Sequence, residues 1–121
     1  MFFSVTVPYH HFVNVEDVFL HDTVKLPCTP SSDKGIVWYY QQYCNNFEHG
    51  LHSCSSRTAI TMGHEYQIRT NSGGEHSLLI TDITKTMTGL YTCETSERQS
   101  VISRVFVNVI CKYSFVLLFS I

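Results

Sequence analysis

Five cysteines (Cys28, Cys44, Cys54, Cys93 and Cys111) and seven histidines (His10, His11, His21, His49, His52, His64 and His76) are the side chains through which this chain could do chemistry. The densest cluster is Cys44-x4-His49-x2-His52-x-Cys54, two thiols and two imidazoles in one short stretch. Zinc accepts such a donor set. Its spacing matches no common structural zinc site, however, and cysteines of exported chains oxidise. Two readings therefore stand for Cys44 and Cys54: a second disulfide that braces a hairpin, which is the expected one, or a metal pair. The remaining histidines lie scattered over polar or loop positions, and His10-His11 reads as solvated. No paired carboxylates, nucleophile elbow or phosphate loop accompanies them, so the sequence predicts neither catalysis nor a cofactor. It also lacks an Asn-x-Ser/Thr acceptor for N-glycosylation.

Composition narrows the class. The chain has 121 residues, enough for one domain and one core. Hydrophobic residues make up 44% and charged ones 15%, a balance that excludes intrinsic disorder. The net charge of −2 comes without a basic run, so no nucleic-acid partner is expected. Five cysteines in so short a chain place it in an oxidising, extracellular compartment.

The two ends read differently from the middle. Residues 1–11 form an N-terminal segment, either part of the first strand or a degenerate leader. Its apolar start, Met1 to Val7, is interrupted by Pro8-Tyr9-His10-His11 and lacks a basic n-region and a small-x-small cleavage site. Residues 111–121 form an apolar tail whose run is about half what a bilayer-crossing helix needs. Membrane association is expected only if that tail is part of a truncated span. Cys111, just before it, is either a link between two chains or a free thiol.

Between these ends, residues 12–110 carry no helical periodicity but many period-two segments. Phe12 to Val15, Thr23 to Cys28, Ile36 to Gln42, Arg57 to Thr61, Tyr66 to Arg69, Ser77 to Ile83, Gly89 to Glu94 and Val101 to Val109 each read as a strand. Thr29 to Gly35 is a loop by composition, and Asn71-Ser72-Gly73-Gly74 marks a tight turn. The chain is therefore predicted to be all-β, an antiparallel sandwich of two sheets. Alternation puts Cys28, Trp38 and Cys93 on inward faces, where one disulfide can join the sheets while the indole packs on it. Tyr91, two residues before Cys93, occupies the position of a tyrosine corner.

The frame Leu26-x-Cys28, Trp38-Tyr39-x-Gln41, Leu78-x-Ile80-x-x-Ile83 and Gly89-x-Tyr91-x-Cys93 resembles an immunoglobulin variable-type domain over about residues 12 to 110. The resemblance implies a variable-type sandwich with Leu26, Leu78, Ile80, Gly89, Trp38 and Tyr91 as its core signature. It also implies a recognition domain of an immune receptor, ligand or adhesion molecule at the cell surface. A secreted or viral decoy competing for the same partner is the alternative. Some innate receptors of this group carry an extra bridge near Cys44 and Cys54, although their cysteine sits closer to the tryptophan. Two departures stand out. The Asp expected six residues before the second cysteine is Met87, and no Arg opens the segment from His64 to Tyr66. The Gly-x-Gly of rearranging antigen receptors is also missing between Ser100 and Val107, which points to a non-rearranging type.

In such domains the sheet of strands C, F and G, with the B–C and F–G loops, commonly meets a protein partner. Alternation turns Tyr39 and Gln41 outward on strand C, and Thr92 and Glu94 outward on strand F. Glu97, Arg98 and Gln99 form the apex of the F–G loop. These seven are the candidate partner-binding residues, and a homodimer through the front sheet or Cys111 is one arrangement they allow.

Overall fold

In the computed structural model, residues 14–30, 35–97 and 100–111 are described. The N-terminal segment with Phe12 and Val13, residues 31–34 of the loop from Thr29 to Gly35 (the B–C loop), Arg98, Gln99 and the apolar tail after Cys111 lie outside them. Among the described residues nine strands follow one another: β1 (Asn14–Phe19), β2 (Val24–Leu26), β3 (Ile36–Asn46), β4 (Gly50–Ser53), β5 (Thr58–Ala59), β6 (Tyr66–Thr70), β7 (His76–Ile80), β8 (Gly89–Thr95) and β9 (Val101–Ile110). A 3-10 turn, Lys85–Met87, separates β7 from β8.

The strands build two sheets. The front sheet runs β1-β9-β8-β3-β4, with β5 also on β3; the back sheet runs β2-β7-β6. All ladders are antiparallel except that of β1, which lies parallel to β9. Strand β3 runs to Asn46, beyond the expected Gln42, because it continues past the core to pair with β4. The polar stretch around Asn45 and Asn46 hides this hairpin in the sequence, since neither strand has an apolar face there.

The turn at Asn71 forms as its residue types require. Gly74 adopts φ +86°, and the Asn71 side chain accepts from the Gly73 and Glu75 amides at 2.9 and 3.0 Å. Gly89 is demanded for another reason: a Cβ there would overlap the Gln41 carbonyl oxygen and the Tyr40 ring.

The inward faces meet in a core of Val24, Leu26, Trp38, Leu78, Ile80, Ile83, Tyr91, Val105, Val107 and Val109. Cys28 and Cys93 are bonded across it, with Cα atoms 6.5 Å apart. Trp38 is the ladder partner of Cys93 and is 2% exposed, so the indole lies beside the bridge. Its Nε1 donates to the His76 carbonyl at 3.4 Å. Closing a loop of 65 positions restricts the unfolded chain by roughly 4 kcal/mol on the entropy model. A second disulfide joins Cys44 to Cys54, with Cα atoms 5.8 Å apart, so the two sulfurs of the sequence cluster are bonded to each other.

Tyrosines gather at the end of the sandwich that holds Met87. The Tyr91 hydroxyl donates to the Met87 carbonyl at 2.7 Å, which is the tyrosine corner. Tyr40 reaches the carbonyls of Thr86 and Thr88 at 2.7 and 2.8 Å, and its ring lies 4.7 Å from that of Tyr91. Tyr66, the first residue of β6, brings its hydroxyl within hydrogen-bonding reach of Tyr91. Neutral hydroxyls on backbone carbonyls satisfy this end without burying a charge.

Burial pushes the phenols of Tyr40, Tyr66 and Tyr91 above the ordinary tyrosine range, with neighbouring phenolate charge as a further cause for Tyr40 and Tyr91. The native state therefore holds protons that the unfolded chain releases near pH 10, and stability falls as pH rises beyond that value. A phenolate absorbance titration is expected to show fewer ionising tyrosines at pH 11 in folded than in urea-unfolded protein. Identical titration curves would contradict this arrangement.

Candidate protein-binding face

The outward side of the front sheet is assembled by alternation. Residues that alternate with buried Trp38, Tyr91 and Cys93 turn away from the core: Tyr39, Gln41 and Tyr43 on β3, and Leu90, Thr92 and Glu94 on β8. Strand β9 adds Arg104, Phe106 and Asn108, in register with Thr92, Leu90 and, across β1, Asp17. Phe106 is fully buried even on this side, and Tyr43 meets it edge-on at 5.3 Å. The opposite face of the sandwich is different. There Lys25, Gln67 and Arg69 are exposed around half-buried Leu79.

One cluster organises the front face. Strand β5 pairs with Tyr39 and Tyr40, which delivers the preceding residue, Arg57, onto the Tyr39 ring. The guanidinium carbon lies 3.6 Å from the ring centroid and the group is ion-paired with Glu94. The Glu94 side chain is only 8% exposed, whereas Arg57 is 43% exposed. A carboxylate taken this far out of water requires a charged partner, and Arg57 supplies it while covering the aromatic face. Gln41 is committed nearby: its amide donates to the Ser53 hydroxyl at 2.7 Å and the Ser55 carbonyl at 3.4 Å, tying β3 to the β4 edge.

Thr92 and Glu94 thus depart from the expectation of open contact residues. Both lie on the outward side, but they are 5% and 6% exposed. Thr92 stands between Tyr39 and Arg104 in the ladder, and Glu94 lies beneath Arg57. Alternation decides the side of a sheet, not what covers it. Tyr39 and Gln41 are half-buried, and Glu97 is exposed on the turn after β8. Arg98 and Gln99 lie outside the described residues. Arg57 is the residue that sequence reasoning missed. The signal that could have found it is Glu94 itself, a carboxylate on a half-buried strand face in need of a cation.

The profile of the immunoglobulin V-set domain matches residues 16–110. The chain belongs to the immunoglobulin V-set family. Its two-sheet topology, its disulfide beside Trp38 and its tyrosine corner agree with that membership. No curated protein is similar enough in sequence to match. Among solved structures, the V-set domain is similar to the ZIG-8 IG1 homodimer at 17% identity and a TM-score of 0.55, covering 80% of this chain and 78% of that one. It is also similar to the ZIG-8–RIG-5 IG1–IG1 heterodimer at 16% identity and a TM-score of 0.53, covering 80% and 82%. The extracellular domain of the voltage-gated sodium channel beta4 subunit, a parallel homodimer, is similar at 19% identity and a TM-score of 0.53, covering 82% and 92%. At these identities the likeness is one of fold.

Removing Arg57 leaves the Glu94 carboxylate buried without its cation. Arg57→Ala is expected to cost about 1–2 kcal/mol in urea unfolding, less than a fully buried pair because the guanidinium is partly solvated. Adding Glu94→Gln to that variant is expected to recover most of the loss. Equal stability of Arg57→Ala and the wild type would show that the pair contributes nothing.

Proposed function

We propose that this V-set domain is a non-catalytic recognition module of an extracellular receptor, ligand or adhesion molecule, and that it binds a protein partner through the outward face of its front sheet. The observation that carries this reading is the Arg57–Tyr39 stack fixed by buried Glu94. Arginine and tyrosine are the side chains most often found at the energetic centre of protein interfaces, and here both are already ordered. The polar, charged back face offers no comparable centre. Two disulfides fit an oxidising extracellular setting. The similar ZIG-8 and sodium channel beta4 structures are themselves homodimers or heterodimers of such domains, which supports a partner of the same kind, a second copy included.

The test is self-association by sedimentation, followed by binding of the multimerised domain to an array of cell-surface ectodomains. Tyr39→Ala is expected to weaken the interaction found by at least about thirtyfold, the effect of losing a central contact. Gln67→Ala with Arg69→Ala on the back face is expected to leave it unchanged. The reverse pattern would move the binding surface to the other sheet.

A further inference from the structure

The β3–β4 hairpin holds a donor set that the recognition role does not use. Cys44 and His52 are directly opposite in the ladder, and the Cys54 amide donates to the Gln42 carbonyl at 3.0 Å, which places Cys54 opposite Gln42. Residues opposite one another share a face, as do residues two apart on one strand. Cys44, His52 and Cys54 therefore project from the same side of the hairpin, with neighbouring Cβ atoms about 5 Å apart in the opposite pair. The ring of His49 lies 5.6 Å from that of His52. His52 Nδ1 is 3.0 Å from the Gly50 carbonyl oxygen, so a proton on Nδ1 is donated there and Nε2 is left as the free lone pair. While the sulfurs are bonded to each other, no group of three or more metal-binding side chains stands ready among the described residues.

We propose that opening Cys44–Cys54 converts this hairpin into a zinc site, with Cys44 and Cys54 thiolates, His52 Nε2 and His49 as ligands. The reductant is a dithiol. Its thiolate attacks the exposed Cys54 sulfur, the S–S bond breaks and Cys44 leaves as a thiolate. The second thiol of the reductant then displaces Cys54 and closes a disulfide within the reductant. Two electrons pass from the dithiol to the protein, and both protein thiols surrender their protons to solvent when the metal binds. Two thiolates and two imidazoles form a tetrahedral set that zinc favours. Burial separates the two bridges: Cys28 and Cys93 are 2% and 0% exposed, whereas Cys54 is exposed, so a mild dithiol reaches only the hairpin. The ion then takes over the brace that the bond had provided.

The experiment uses the intact oxidised domain, treated with dithiothreitol until mass spectrometry shows one bridge opened, and titrated with cobalt(II) and then zinc(II). One metal per chain is expected, with tetrahedral cobalt bands and thiolate charge-transfer absorption that zinc displaces. The oxidised domain is expected to show neither. His52→Ala is expected to weaken binding more than about tenfold. Its fold is checked by circular dichroism, and His49→Ala provides a second variant at a turn position. Reduced protein that binds no more metal than oxidised protein would overturn the proposal. So would His52→Ala and His49→Ala both binding as wild type does, or reduction that opens Cys28–Cys93 first. None of these outcomes bears on the front-face reading.

Discussion

The bond between Cys28 and Cys93 is the constraint on which the rest of the structure depends. It crosses the space between the two sheets beside Trp38, the largest side chain of the core. The indole needs a flat apolar neighbour and a carbonyl for its N–H; Cys93 in the facing ladder position and His76 provide them. With that centre fixed, the inward and outward assignments of β3 and β8 follow residue by residue. A slip of one position would bury Tyr39 and Thr92 in place of Trp38 and Cys93.

The front face inherits its order from this centre. Tyr39 adjoins Trp38 in sequence, and Glu94 adjoins Cys93, so the two side chains that hold Arg57 stand on backbone pinned from below. The third member arrives from β5, a strand of two residues whose main consequence is to hold Arg57 in place. Rigid backbone, one buried charge and one guanidinium stacked on a ring together make a preorganised surface. The end that holds Met87 follows a different chemistry. Here the Tyr40 and Tyr91 hydroxyls lie on backbone carbonyls around Met87, with Tyr66 beside Tyr91, so an apolar Met87 leaves no charge to be satisfied.

The sandwich and its central frame were legible in the sequence because inward alternation, Cys28, Trp38, Tyr91 and Cys93 are local features at characteristic spacing. The seam of parallel pairing between β1 and β9 was not, because strand direction is a property of the whole chain path. Strand β4 escaped notice because Gly50–Ser53 carries no alternating pattern. The candidate face was legible only in part. Tyr39 could be placed outward by counting, but its partner Arg57 is separated from Glu94 by 37 positions, and only the folded sheet brings them together. The same gap explains Thr92 and Glu94, whose side was readable while their cover was not.

Native-state amide hydrogen exchange tests the central role of the stitched core most directly. In oxidised protein the amides of residues 38–40 and 91–93 are expected to exchange last, at the free energy of global unfolding, while those of Gly50–Ser53 exchange earlier through local opening. Exchange from residues 38–40 and 91–93 as fast as from the β4 edge would show that the sheets are not held together at Cys28, Cys93 and Trp38.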